Sequence, residues 1–180
     1  MDIFAFYTNY IYKGFKKLDN DIKIFKGIIP ENACESIIQE GLTYKQQVAG
    51  VGDNNKISRG RSTTVAFMDN DFLKSYIYQL VFANYDTEIT EIEDLQFATY
   101  NTGDYYGRHK DTGDENERVL SVTVQLSDPS KYEGGELVFD NTKPIEDAQG
   151  TVIIFPSNLY HRVNPVLSGT RYSLVQWYNG

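Results

Sequence analysis

The chain has little of several residue types on which protein chemistry depends. Among 180 residues there are one cysteine, Cys34, and two histidines, His109 and His161. A single cysteine excludes an internal disulfide and fits a reducing compartment, so a cytoplasmic location is expected. Basic residues are outnumbered, with 17 Lys and Arg against 25 Asp and Glu, for a formal net charge of −8. The overall basicity needed to neutralise many phosphates is missing, and nucleic acid is not an expected partner. Long apolar runs are absent too. The N-terminal MDIFAFYTNYIYKGF has no basic stretch ahead of an apolar one, so neither a signal peptide nor a membrane span is expected. There is no internal repeat and no low-complexity linker, and the five prolines are scattered. With 41% hydrophobic and 14% aromatic residues the chain can build one core, and its length argues against a second full domain. One domain over residues 1–180 is expected, with N-terminal helices and supporting strands in 1–90 and the core with its site in 91–180.

What is present reads as helices followed by strands. DIKIFKGII (21–29) alternates enough for a strand. Pro30 then opens a short helix with apolar residues at 33, 34, 37 and 38 and Gly41 as its stop. Residues 42–57 read as loop or ragged strand. The spacing of Phe72, Leu73, Tyr76, Ile77 and Leu80 predicts a second helix from about Asp69 to Asn84, capped by the Asp-Asn-Asp cluster. From about residue 92 short β-rich runs alternate with turn residues: DLQFATY, RVLSVTVQLSD, GGELVF, GTVIIFP, LYHRVNPV and TRYSLVQWY. The fold class is therefore mainly β with N-terminal helices, and the strand spacing suggests an antiparallel barrel or double-sheet jelly roll.

One histidine lies in YNTGDYYGRHKDTG (100–113), two residues before Asp111. On a strand end that spacing puts His109 and Asp111 on one face, able to offer two ligands to a divalent metal. The tripeptide is common, and alone it fits a surface histidine near a turn. His161 follows the apolar run GTVIIFPSNLY, placed where a neighbouring strand could return to the same mouth. Two histidines and one carboxylate leaving adjacent positions open make the facial triad of non-haem Fe(II) oxygenases. A hairpin centred near Val166 would set Arg171 opposite His161, where a guanidinium could hold a dicarboxylic cosubstrate.

Taken together, YNTGDYYGRHKD, RVLSVTVQLSDPSKYEGGELVF, GTVIIFPSNLYHRVNPVLSGTR and the closing QWY resemble the 2-oxoglutarate- and Fe(II)-dependent dioxygenases of the prolyl 4-hydroxylase type, and among them the PKHD-type hydroxylases. The resemblance implies a double-stranded β-helix, the cupin-like jelly roll. It also implies iron ligation by His109, Asp111 and His161, with 2-oxoglutarate and O2 as cosubstrates and ascorbate as an accessory. By the same resemblance Arg171 and Tyr100 hold 2-oxoglutarate, Tyr106 lies near the substrate entrance, and Arg118, Arg61, Thr63 and Glu93 touch a peptide. The implied partner is a peptide or protein, hydroxylated at a prolyl residue. A free small molecule as substrate, a cupin-like metalloenzyme without 2-oxoglutarate and a non-catalytic binding module are the alternatives. One departure from the family pattern is Gln125, where relatives carry an aromatic or aliphatic residue. Buried there, its amide needs a hydrogen-bond partner.

Overall fold

The computed structural model describes residues 22–49, 60–114, 116–140, 142–145 and 148–180. The first strand, β1 (Lys23–Phe25), is followed by helix α1 (Glu31–Thr43), β2 (Gln47–Val48), β3 (Arg61–Ser62), β4 (Thr64–Met68) and helix α2 (Asp71–Asn84). The rest is β: β5 (Glu91–Ile92), β6 (Leu95–Asn101), β7 (Tyr105–His109), β8 (Arg118–Gln125), β9 (Tyr132–Gly134), β10 (Leu137–Phe139), β11 (Val152–Pro156), β12 (His161–Val163) and β13 (Val166–Asn179). Residues 50–57 of the expected ragged segment, and residues 1–21, which include Asp21 of the expected first strand, lie outside the described residues.

Both helices form where the spacing predicts them. Asn70 caps α2, its side chain accepting from the Leu73 N–H at 3.0 Å, while its amide donates to the Glu40 carboxylate and ties α1 to α2. A cap of this kind is worth about 1 kcal/mol. Gly41 does not stop α1, which runs on to Thr43. It lies on the buried face, where an added Cβ would come within 2.6 Å of the Phe97 ring. It is thus a close-packing site rather than a terminator.

Strands β1-β11-β8-β13-β6-β4-β2 make the larger antiparallel sheet, with β5 and β9 pairing off β13, and β10-β12-β7-β3 make the smaller. Alternation along each central strand divides the core in two. Leu120, Val122 and Val124 of β8 face α1 and α2 with Phe97, Ile77 and Leu174. From the other face of the same sheet, Ile153 and Phe155 of β11 and Ala98 and Tyr100 of β6 meet Leu137, Phe139 and Val163 of the smaller sheet. Two facing sheets with helices on one outer side are the expected jelly roll.

The expected hairpin around Val166 does not form. β12 lies between β10 and β7 in the smaller sheet, and β13 lies at the centre of the larger one. The chain crosses at Asn164–Pro165 instead of folding back. Pro165 has no N–H to give a ladder, and the flanking amides are taken elsewhere, Asn164 N by Glu136 O and Val166 N by Asp104 O. His161 therefore stands opposite His109 and Arg171 opposite Tyr100. No helix among the described residues is long and apolar enough to cross a membrane.

Candidate metal centre and its pocket

The two histidines reach one point because β7 and β12 are paired with His109 and His161 in register. Asp111 sits just past β7, its N–H and that of Thr112 both donating to the carbonyl of Ser157. Ligand atoms of the three side chains all lie within 4.8 Å of one another. Each imidazole has its Nδ1 against a main-chain carbonyl, His109 to Gly107 O at 2.8 Å and His161 to Leu159 O at 3.0 Å. A carbonyl only accepts, so Nδ1 carries the proton in both rings and the Nε2 lone pairs face inward. These Nε2 atoms are 3.5 and 3.7 Å from the two Asp111 oxygens. Three electron-pair donors thus converge with no proton between them, a donor set that fits a divalent cation of the iron type.

Charge states agree with that use. Burial pushes the Asp111 carboxyl up, but the two imidazoles, which favour the carboxylate to the extent that they take up a proton, and the Ser121 hydroxyl outweigh it and hold the group below the usual carboxylate range. Burial keeps His161 below the ordinary histidine value, partly offset by Asp111. Both remain in the ligating form at neutral pH.

The pocket runs from the triad to Arg171, which lines it together with Tyr100, Thr123 and Ser173. Arg171 is 3% exposed. Its Nη1 reaches Ser173 Oγ at 3.4 Å, and its buried Nε has no partner among the described residues. A buried guanidinium so poorly matched calls for an anion, and a carboxylate suits its fork. Room for its stem comes from Gly135, at φ +69°, where a Cβ would meet Arg171 Cδ at 2.9 Å. The second glycine of YEGGEL thus serves both a turn and the close approach of the Arg171 stem.

The remaining expected site residues divide. Arg61 and Tyr106 line the pocket and form a stack on the metal side. The Tyr106 ring lies 3.5 Å from that of His109 at 12°, with the Arg61 guanidinium 4.3 Å above Tyr106. Arg118 and Glu93 grip each other, at 2.6 and 2.5 Å, and Arg118 lies 3.9 Å over the ring of Trp177. Trp177 in turn lines the pocket. Thr63 is brought no closer: it is 3% exposed and its hydroxyl donates to Thr99 O at 2.6 Å. Gln125 is buried with its Nε2 donating to Tyr132 Oη at 2.7 Å. Sequence reasoning passes over Ser121, Ser157, Thr123 and Trp177. The signal for Ser121 and Thr123 is nonetheless there, as polar residues at every second place in RVLSVTVQ.

The model for the 2OG-Fe(II) oxygenase superfamily matches residues 95–179, which include the triad, Tyr100 and Arg171. Residues 95–179, somewhat under half of the chain, thus match that superfamily. Over 148 residues the chain is 32% identical to a PKHD-type hydroxylase of Prochlorococcus marinus, covering 79% of this chain and 66% of that protein. It is 42% identical over 91 residues to one of Picosynechococcus, covering 48% of this chain and 42% of the relative. The chain therefore spans between 42% and 66% of the length of these curated relatives. Among solved structures it superposes on a Pseudomonas putida prolyl-4-hydroxylase with a TM-score of 0.73 at 20% identity, covering 88% of this chain and 91% of that one. A Trichoplax adhaerens prolyl hydroxylase in complex with a hypoxia inducible factor peptide fragment gives 0.78 at 20% identity, covering 89% and 84%. These likenesses establish the double-stranded β-helix fold.

Proposed function

We propose that the protein is a 2-oxoglutarate- and Fe(II)-dependent dioxygenase that hydroxylates a C–H bond, a prolyl residue of a peptide or protein being the favoured substrate. Overall, substrate, O2 and 2-oxoglutarate would become hydroxylated product, succinate and CO2. The observation that carries this reading is the buried Arg171 guanidinium, its Nε without a partner among the described residues, in the same pocket as three converging metal ligands. A metalloenzyme without a keto acid would leave that charge without a purpose.

In this reading His109, Asp111 and His161 hold the iron. When bound, the iron supplies the O2 chemistry, and the chain supplies position and shelter. Arg171 takes the distal carboxylate of 2-oxoglutarate bidentately, with Tyr100, its register partner, beside it. Leu137, Phe155 and Val163 give the pocket apolar walls that exclude water. In the same reading the Arg118–Glu93 pair, held against Trp177, steadies an incoming peptide. Support for a peptide comes from the prolyl hydroxylase neighbours, one of them in complex with a peptide fragment. A free small molecule is the competing substrate class.

The test has two steps. Anaerobic titration with Fe(II), 2-oxoglutarate and both together is expected to give a weak visible charge-transfer band only when both are present. A screen of succinate formation over proline-containing peptides, free amino acids and small metabolites, with and without ascorbate, is expected to find a peptide whose mass rises by one oxygen. A band that needs no keto acid would refute the dioxygenase reading.

A further inference from the structure

Ser121 and Ser157 are both fully buried, in a core where most side chains are apolar. Burying two hydroxyls is unfavourable unless their hydrogen bonds do something. Ser121, on the inner face of β8, has its Oγ 2.7 Å from Asp111 Oδ2 and 2.9 Å from Ser157 Oγ. An ionised carboxylate only accepts, so the one proton of Ser121 goes to Asp111, and in the second contact Ser157 must donate. The direction is then fixed: the Ser157 hydroxyl donates to Ser121, which donates to Asp111. Aligned hydrogen bonds of this kind polarise and strengthen one another.

Main-chain bonds hold both ends of the chain. The Ser157 carbonyl accepts from Asp111 N at 3.0 Å and Thr112 N at 3.1 Å, and Ser157 N donates to Val119 O at 3.0 Å. One residue thus fixes the Asp111 backbone directly and its carboxylate through Ser121. Oδ2 already accepts from Ser121 while lying 3.7 Å from His161 Nε2, and Oδ1, 3.5 Å from His109 Nε2 and accepting from no hydroxyl, keeps both of its lone pairs open to a cation.

We propose that Ser157 and Ser121 form a two-hydroxyl relay that positions the Asp111 carboxylate for metal binding through Oδ1. The inference rests on the metal-centre reading above. Ser121 and Ser157 are positioning residues, acting through Asp111.

The experiment measures Co(II) affinity, and anaerobic Fe(II) affinity, for the unmodified protein, Ser121→Ala, Ser157→Ala and the double variant, with circular dichroism and the Co(II) visible spectrum as companions. Loss of such a supporting partner is expected to weaken metal binding about ten- to a hundredfold in Ser121→Ala. Ser157→Ala is expected to weaken it less. The double variant is expected to match Ser121→Ala, because the Ser157 hydroxyl reaches the metal site only through Ser121, while the carbonyl that accepts from Asp111 and Thr112 is kept by alanine. A changed Co(II) spectrum with an unchanged fold marks positioning rather than general stability. Unchanged or tighter binding in Ser121→Ala, or strictly additive losses in the double variant, would overturn the relay while leaving the metal centre intact. No metal binding by the unmodified protein would overturn the metal-centre reading itself, and the relay with it.

Discussion

Arg171 lies directly opposite Tyr100 in the β13–β6 ladder, its guanidinium carbon 5.4 Å from the centre of the tyrosine ring. Two neighbouring strands thus deliver a cation and a phenol to one wall of the pocket. Arg171→Ala is expected to bind Fe(II) or Co(II) normally while losing 2-oxoglutarate affinity. Removing one partner of a buried charge-assisted pair costs about 2–5 kcal/mol, or roughly thirtyfold to several thousandfold in Kd. Arg171→Lys should recover only part, since an ammonium cannot reproduce the planar fork. Titration of 2-oxoglutarate into the metal-loaded, anaerobic variants checks this, and an unchanged Kd in Arg171→Ala would point to another anchor.

The triad should be separable from the fold. His109, Asp111 and His161 sit in the space between the sheets at the pocket, not in the layer under the helices. Asp111→Ala, His109→Ala and His161→Ala are therefore expected to abolish stoichiometric Fe(II) binding with little change in circular dichroism. Equilibrium dialysis gives the metal content. Full metal occupancy and turnover in Asp111→Ala would dismiss the assignment.

Part of this was open to sequence reasoning because it depends on local spacing. Period two makes His109 and Asp111 co-facial, and helical spacing marks α2 with Asn70 as its cap. The partner of His161 was not open in the same way. Local spacing suggests a hairpin centred near Val166, whereas the chain crosses between sheets at Pro165, a choice set by long-range pairing with β7, β8 and β6. Gly41 misleads for a related reason. Its role depends on Phe97, 56 positions on, and no local rule for helix ends reports such a contact. Ser121 and Ser157 are 36 positions apart and meet only through the β8–β11 pairing.

Gly41 therefore offers a test of packing apart from chemistry. In an exposed helix Gly→Ala would stabilise by about 1 kcal/mol. Here the new methyl would meet Phe97 Cδ2 at 2.6 Å, and overpacking of this kind costs about 1–3 kcal/mol. Gly41→Ala is expected to lower the urea midpoint while leaving Co(II) affinity unchanged, because Phe97 faces the helices and not the pocket. A raised midpoint would mean the ring moves aside at little cost.

The Arg118–Glu93 pair concerns the Trp177 side of the pocket. Arg118 is held twice, by the Glu93 carboxylate and by the face of Trp177, and Trp177 lines the pocket. Its removal should leave the metal and 2-oxoglutarate in place, since neither the triad nor Arg171 touches it. What changes is the wall against which a substrate would rest. Hydroxylation needs the target C–H held close, and a misplacement of about 1 Å can cost around a hundredfold, whereas 2-oxoglutarate can still be consumed slowly without a well-placed substrate. Arg118→Ala is therefore expected to lower the ratio of hydroxylated product to succinate. Glu93→Gln, which keeps the shape but loses the charge partner, should do so less severely. Tyr106→Phe, which preserves the stack on His109, should leave metal affinity unchanged and alter coupling only if the hydroxyl meets the substrate. Parallel measurement of product and succinate with a verified substrate decides the matter. Unchanged coupling and unchanged KM in Arg118→Ala would mean that the substrate enters by a different face, and that the Arg118–Glu93 pair serves only to fasten β5 and β8 beside the end of β13.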